Sequence, residues 1–302
     1  MHDKARWRDP ALGTRRELDL PQGRLCCFEA GAGEPVVFVH GHFVNANIWR
    51  KVIPRLAPDS RCLALDLPFG SHALPMEPGA DLSGAGQVQL VLDAIDALGL
   101  EEVTLVGMDT GGAICQFVAT QRPERVARLV LTSCDYRDNF PPRIFSYLKL
   151  LPVLAPLVPV LFAPLRVRAL RRAPYIHGRL SVRPIDRPAE DSYVLPVLED
   201  RRVRADAAKL MAIFDKARLN EAADRLAGFD RPALVAWSRE DRCFPPAHGQ
   251  RLASELPDAR LEWIEGARAF SMEDEPERLA GAIARFLREP REAPRGVARV
   301  RS

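Results

Sequence analysis

The run Thr104-Leu-Val-Gly-Met-Asp-Thr-Gly-Gly-Ala-Ile-Cys115 decides how the rest of the chain is read. Val103 to Val106 is apolar and rich in β-branched side chains, the pattern of a buried strand. Gly107, Gly111 and Gly112 surround one charged residue, Asp109, and an apolar helical pattern follows. A strand, a sharp turn and a helix are therefore expected, with a carboxylate at the apex of the turn. The glycines remove Cβ atoms where the turn is tight and where the helix closes on its strand.

Working outward, the same kind of apolar run recurs. Pro35 to Val39 leads into His40-Gly-His42, Arg61 to Asp66 into a loop ending at His72, and Arg128 to Ser133 into Cys134-Asp135. Pro232 to Trp237 leads into Ser238-Arg-Glu-Asp241, and Ala259 to Ile264 forms one more. Short runs without polar alternation are strands buried on both faces of a parallel sheet. Glu17 to Ala30 alternates around Pro21-Gln-Gly23 and reads as a β-hairpin. Between these lie helical patterns: Asn47 to Leu56, a run from about Asp81 closed by Gly99, Leu252 to Leu256, and Pro276 to Leu287.

Strands alternating with helices predict an α/β architecture, a doubly wound, mostly parallel sheet. Residues 136–225 break the alternation. They are helical in pattern and proline-rich, and are expected to form a helical cap inserted after the sixth strand. This divides the chain into a core at 16–135 and 226–288, a cap at 136–225, and flexible termini at 1–15 and 289–302. Ligands of such sheets bind beyond the carboxyl ends of the strands, where His40, Asp66, Asp109 and Asp135 all fall.

Composition limits the partners. The chain has 302 residues, 47% of them hydrophobic, and 43 basic against 40 acidic side chains give a net charge of +3. That balance argues against nucleic acid or a membrane as the main partner, and a small hydrophobic substrate is expected instead. A homodimer is compatible with it. Six cysteines without a C-x-x-C pair read as buried free thiols. The N-terminus has no apolar core of a signal peptide, so a cytoplasmic location is expected. Leu150 to Leu165 is apolar, but four prolines interrupt it, which suggests a lid or core segment and not a membrane span. The cap arginines, Arg171 among them, are expected to face solvent. No metal or cofactor motif is present.

His40-Gly41 after one strand, Asp109 in Gly107-Met-Asp-Thr-Gly111, and Asp241 past a late strand resemble the α/β-hydrolase superfamily over residues 17–287. An aspartate at the nucleophile elbow resembles its haloalkane dehalogenase and epoxide hydrolase branch. The resemblance implies that Asp109 attacks carbon and forms an ester, which a histidine held by an acid then hydrolyses. Asp241 matches that acid and Asp135 the alternative acid. Backbone N–H groups near His42 or Phe43, and of Thr110, match the oxyanion hole. Epoxide hydrolases of this branch protonate the epoxide oxygen with cap tyrosines, and Tyr147, Tyr175 and Tyr193 lie in the cap as substrate-binding candidates, none singled out by its sequence.

The resemblance departs at the base. Gly266, Phe270 and Pro276 frame the expected histidine, but the position itself is Ala269. Arg268 stays charged and Ser271 is not a base near neutrality. Of the six histidines, His40 is expected to support the loop, His177 and His248 to lie on the surface, and His72, ahead of His42, to be a relocated base. Dehalogenases of this branch place asparagine and tryptophan where this chain has His42 and Thr110. Three readings follow: a hydrolase with an aspartate nucleophile, a lyase, isomerase or cyclase using Asp109 as an acid–base group, and a ligand-binding protein without catalysis.

Overall fold

Apolar runs that lack alternation become the centre of the sheet. A computed structural model describes residues 4–210 and 216–290. Its strands are β1 (Thr14–Leu20), β2 (Gly23–Ala30), β3 (Pro35–Val39), β4 (Arg61–Leu65), β5 (Val103–Met108), β6 (Val126–Cys134), β7 (Ala233–Ser238) and β8 (Ala259–Ile264). They form a single sheet in the order β1-β2-β4-β3-β5-β6-β7-β8. The β1–β2 hairpin is antiparallel, β2 also runs antiparallel to β4, and every later pairing is parallel. Each residue of β5 and β6 is buried, whereas β8 at the edge is mostly half-exposed.

This order places the site. β5 lies between β3 and β6, in a register that sets Gly107 beside Val39 on one side and Leu131 on the other. The carboxyl ends of β3, β5, β6 and β7 therefore stand side by side. They carry His40–His42, Asp109, Asp135 and the Ser238–Asp241 loop.

The helices follow their signals. Ser83 caps Gly84–Ala97 through its hydroxyl, and Gly99 takes φ +68° past its end. Asp109–Gln121 follows β5, and Pro246–Glu255 and Pro276–Leu287 complete the late half. After β6, helical segments including Arg187–Glu199, Arg201–Leu210 and Lys216–Arg225 form the cap. Among the described residues, no single helix is long and apolar enough to cross a membrane. All six cysteines are buried and unpaired.

Three expectations change. Asn47 to Leu56 is not one helix: Asn45 caps a 3₁₀ turn, Ala46–Trp49, and a separate turn of helix, Ile53–Leu56, follows with Pro54 in its first turn. Residues 4–15, expected to be loose, are packed against the core, and residues 1–3 lie outside the described residues. Leu12 is fully buried, and Arg8 grips the buried Asp66 with contacts of 2.8 to 3.1 Å. At the other end, Glu289 pairs with Arg260, and the basic run 291–302 lies outside the described residues.

Candidate active site

Asp109 sits at the apex with φ 51°, in the left-handed region that non-glycine residues rarely occupy. Such a conformation costs on the order of 1–3 kcal/mol and persists when its surroundings enforce it. Here they do. The Asp109 carbonyl accepts from Asp135 N at 3.2 Å, tying the apex to β6. On the β3 side, a Cβ on Gly41 would lie 2.3 Å from Asp109 Cβ, and one on Gly111 would lie 2.3 Å from the His40 carbonyl oxygen. Nothing larger than glycine fits either contact.

The carboxylate is held by backbone donors. Oδ1 accepts from Thr110 N at 2.6 Å and from His42 N at 3.3 Å. Burial raises the pKa of Asp109, and these N–H groups pull it back. The other expected oxyanion donor is spent elsewhere, because Phe43 N donates to the Phe69 carbonyl at 2.8 Å. Phe43 contributes its ring to the cavity wall instead.

A polar chain runs beside Asp109. The Thr110 hydroxyl is 2.7 Å from His42 Nδ1 and 2.8 Å from Asp135 Oδ2. His42 Nε2 and Asp135 Oδ1 are buried without partners. Burial pushes the His42 pKa down to about 3, with the neighbouring His40 adding to the shift. Burial, and then the charge of Asp109, pushes Asp135 well above the usual carboxylate range. Both groups are thus favoured in their neutral forms. His40 is structural, as expected: its Nε2 accepts from Leu67 N at 2.9 Å and its Nδ1 meets the Gly41 carbonyl at 2.8 Å.

Asp241 is placed differently. Its Oδ1 accepts from Cys243 N at 2.7 Å and Phe244 N at 2.9 Å, while Oδ2 is buried with no partner. Burial raises its pKa to about 6. The Ser133 hydroxyl is near enough to oppose part of that shift without meeting hydrogen-bond geometry. Ala269 is fully buried, and Arg268 is turned to the Gly178 carbonyl at 2.7 Å.

These carboxyl ends floor a cavity of about 980 Å³, part of it open to solvent. Its polar floor is His42, Asp109, Thr110 and Asp135, and its walls are mostly apolar cap residues such as Phe140, Phe145, Val158, Phe162, Leu165 and Leu180. Tyr147, Tyr175 and Tyr193 all line it. The hydroxyl of Tyr147 is committed to the Tyr175 carbonyl at 2.8 Å, and that of Tyr193 lies 3.3 Å from Glu273 Oε1.

Several histidine and arginine expectations are corrected. His72 does not reach the cavity; it is buried against Asp206, 3.2 Å away, where the loop after β4 meets Arg201–Leu210. His177 is not a surface residue: it is 8% exposed, lines the cavity, and approaches Glu190 Oε1 at 3.4 Å. His248 is half-buried, edge-on to Tyr136. Arg171 is buried on Asp191 at 2.6 Å, so it does not face solvent. No sequence signal marked His177, since its partner lies thirteen residues away on a different helical segment. Among the described residues, no cluster of three or more His, Cys, Asp or Glu is arranged to hold a metal.

Comparison with known proteins agrees with this architecture. The alpha/beta hydrolase fold family matches residues 34–276, and the chain belongs to that family. Among individual relatives, haloalkane dehalogenase 2 of Mycobacterium tuberculosis is 29% identical over 279 residues, covering 89% of this chain and 93% of that protein. An uncharacterized protein of the same organism is 28% identical over 272 residues, 85% of this chain and 76% of the relative. Of solved structures, a haloalkane dehalogenase from Bradyrhizobium elkani superposes with a TM-score of 0.75 at 20% identity, covering 91% of this chain and 97% of that one. The chain is thus a hydrolase-fold protein with dehalogenase-like relatives.

Proposed function

We propose that the chain is a hydrolase in which Asp109 Oδ2 attacks a carbon of a small apolar substrate, with epoxide opening as the favoured reaction. One observation carries the reading. Asp109 is held in a strained conformation at the floor of an apolar cavity, with Oδ1 fixed by two backbone N–H groups. Among the described residues no donor meets Oδ2 with hydrogen-bond geometry, although the Thr110 hydroxyl is near enough to lower the carboxyl pKa, and Asp109 is only half-buried, which leaves Oδ2 to the cavity. A desolvated, unpaired carboxylate oxygen is an activated nucleophile.

The proton route favours an epoxide over a halide. With Asp135 taken as protonated, it donates across 2.8 Å to Thr110 Oγ1, Thr110 gives its own hydrogen to His42 Nδ1 2.7 Å away, and His42 keeps an N–H on its buried, unpartnered Nε2. As Asp109 Oδ2 bonds to carbon and the C–O bond breaks, the oxygen takes the Nε2 proton. Thr110 re-protonates Nδ1, and Asp135 gives its proton to Thr110 and becomes a carboxylate. In the second step a water attacks Asp109 Cγ and passes one proton back along the same chain to Asp135. The tetrahedral hydroxyl gives its proton to the departing alkoxide, so a diol leaves and Asp109 is again ionised. A departing halide takes no proton, so the chain from Asp135 to His42 would have nothing to deliver to it.

Intact-mass measurement with an epoxide panel and a haloalkane panel tests this. The expected result is an adduct of full epoxide mass, absent in Asp109→Asn, whose turnover falls by about a thousandfold or more. A haloalkane adduct lacking the halogen would favour the dehalogenase relatives' reaction. Activity without any adduct would point to acid–base chemistry at Asp109, and no adduct and no turnover on either panel would leave a binding protein.

A further inference from the structure

The cap has a second apolar side that the cavity does not use. Val158 is buried, and Phe162 and Leu165 line the cavity. Their neighbours point the other way: Leu150 is 56% exposed, Val153 79%, Leu157 53%, Val160 73% and Leu161 53%. A helical segment that is apolar on every side normally has an apolar phase on every side. Here one face meets the cavity wall and the opposite face meets water. Clustered exposed apolar side chains of this size mark an interaction surface.

The segment's own charged side chains have one sign. From Arg143 to Ile185 the chain carries eight cationic side chains and no carboxylate, within a molecule whose net charge is +3. Four of the eight find acidic partners outside the segment: Arg166 with Glu199, Arg168 with Glu190, Arg171 with Asp191 and Arg183 with Glu275. Arg143, Lys149 and Arg172 are exposed and have no carboxylate partner among the described residues. The overall balance of charge conceals this concentration.

We propose that this face of the cap docks on an anionic lipid surface, with Leu150, Val153, Leu157, Val160 and Leu161 entering the acyl boundary and Arg143, Lys149 and Arg172 among the headgroups. An apolar face bordered by Lys and Arg is the composition of an interfacial anchor. The two runs Arg143–Leu150 and Pro152–Leu161 are bent by 45° to each other and neither is long enough to span alone; the buried Val158 holds the second against the cavity, which suits a pair lying on the surface. A second copy of the chain is the poorer occupant. A two-fold interface brings the same patch together from both partners, and that would set unpaired cations against unpaired cations with no carboxylate in the segment to offset them. The docking stands on surface chemistry alone and is independent of the reaction at Asp109. Its consequence is that an apolar solute of the bilayer meets the same segment that lines the cavity.

Co-sedimentation with phosphatidylcholine vesicles, with and without phosphatidylglycerol, tests the docking, alongside analytical ultracentrifugation of the free protein. The wild type is expected to bind the phosphatidylglycerol vesicles, more weakly at high salt and least to phosphatidylcholine alone. Val153→Asp with Val160→Asp is expected to lower binding by about tenfold or more. Both side chains are more than 70% exposed, so the thermal melt and any Asp109-dependent adduct should not change. Lys149→Glu is expected to lower binding by about fivefold or more. Absence of wild-type vesicle binding overturns the proposal. So does equal binding by wild type and the Val153/Val160 variant, or a stable dimer that the same variant dissociates.

Discussion

At the scale of single residues, three carboxyl groups share one desolvated corner, and their partners separate them. Asp109 keeps two backbone donors and an open oxygen, Asp135 meets a hydroxyl, and Asp241 leaves Oδ2 with nothing. The last has a measurable cost. Its folded pKa of about 6 lies above the usual aspartate value of 3.8, so the folded chain holds that proton more tightly than the unfolded chain. The stabilisation is complete below the unfolded value and is lost as pH rises through the folded one. At neutral pH the ionised group therefore weakens the fold by an amount on the order of 1–3 kcal/mol. Asp241→Asn keeps an acceptor for Cys243 and Phe244. It should raise stability at about pH 8 and make little difference near pH 4. Urea denaturation at the two pH values checks this, and an equal effect at both would contradict it. The same orphan oxygen gives meaning to Ala269. Ala269→His offers Oδ2 a partner and the site a water activator, and should shorten the lifetime of an Asp109 ester by about a hundredfold or more. A folded variant with an unchanged ester lifetime would remove this position from the mechanism.

At the scale of elements, the sharp passage from β5 into Asp109–Gln121 is enforced by its neighbours, since β3 approaches so closely that Gly41 and Gly111 have no room for a Cβ. A second junction fixes the cap. Asp274, fully buried in the short turn Ser271–Asp274, accepts from Ser181 Oγ at 2.7 Å, from Val182 N and Arg183 N at 2.9 Å, and from Arg268 N at 3.1 Å. Phe270 N donates to the Leu180 carbonyl at 2.8 Å nearby. One carboxylate thus ties the loop after β8 to the cap segment that carries His177. Asp274→Ala strands four donors and should cost about 3 kcal/mol or more. Chemical denaturation measures the loss, and limited proteolysis should find new cleavage near residues 172–187. Unchanged stability and an unchanged digestion pattern would show that the cap is held elsewhere.

At the scale of the whole molecule, local and long-range information divide cleanly. The strands, the hairpin, the glycine-bounded elbow and the late helix were legible because each is written in consecutive residues: apolar runs, Pro-Gln-Gly, Gly-x-Asp-x-Gly. The supporting role of His40 came from the resemblance carried by His40-Gly41 after its strand. What was not legible depended on residues far apart in the chain. The N-terminal turns read as loose because nothing nearby shows that Arg8 will find Asp66. His72 read as a candidate base because its loop leaves the right edge of the sheet, yet Asp206 draws it away. His177 and Arg171 read as surface because their polar character is local, while Glu190 and Asp191 bury them. The sequence by itself determined the succession of strands and helices along the chain, the position of Asp109 at a strand end, and alanine at residue 269. Periodicity and turn chemistry are local, and residue identity is exact. Only the tertiary structure decided which side chains surround Asp109, that His42, Thr110 and Asp135 form a continuous polar chain, and that among the described residues one apolar face of the cap stands exposed. Those outcomes depend on how the cap and loops close over the sheet, and burial then sets the protonation of the groups they enclose.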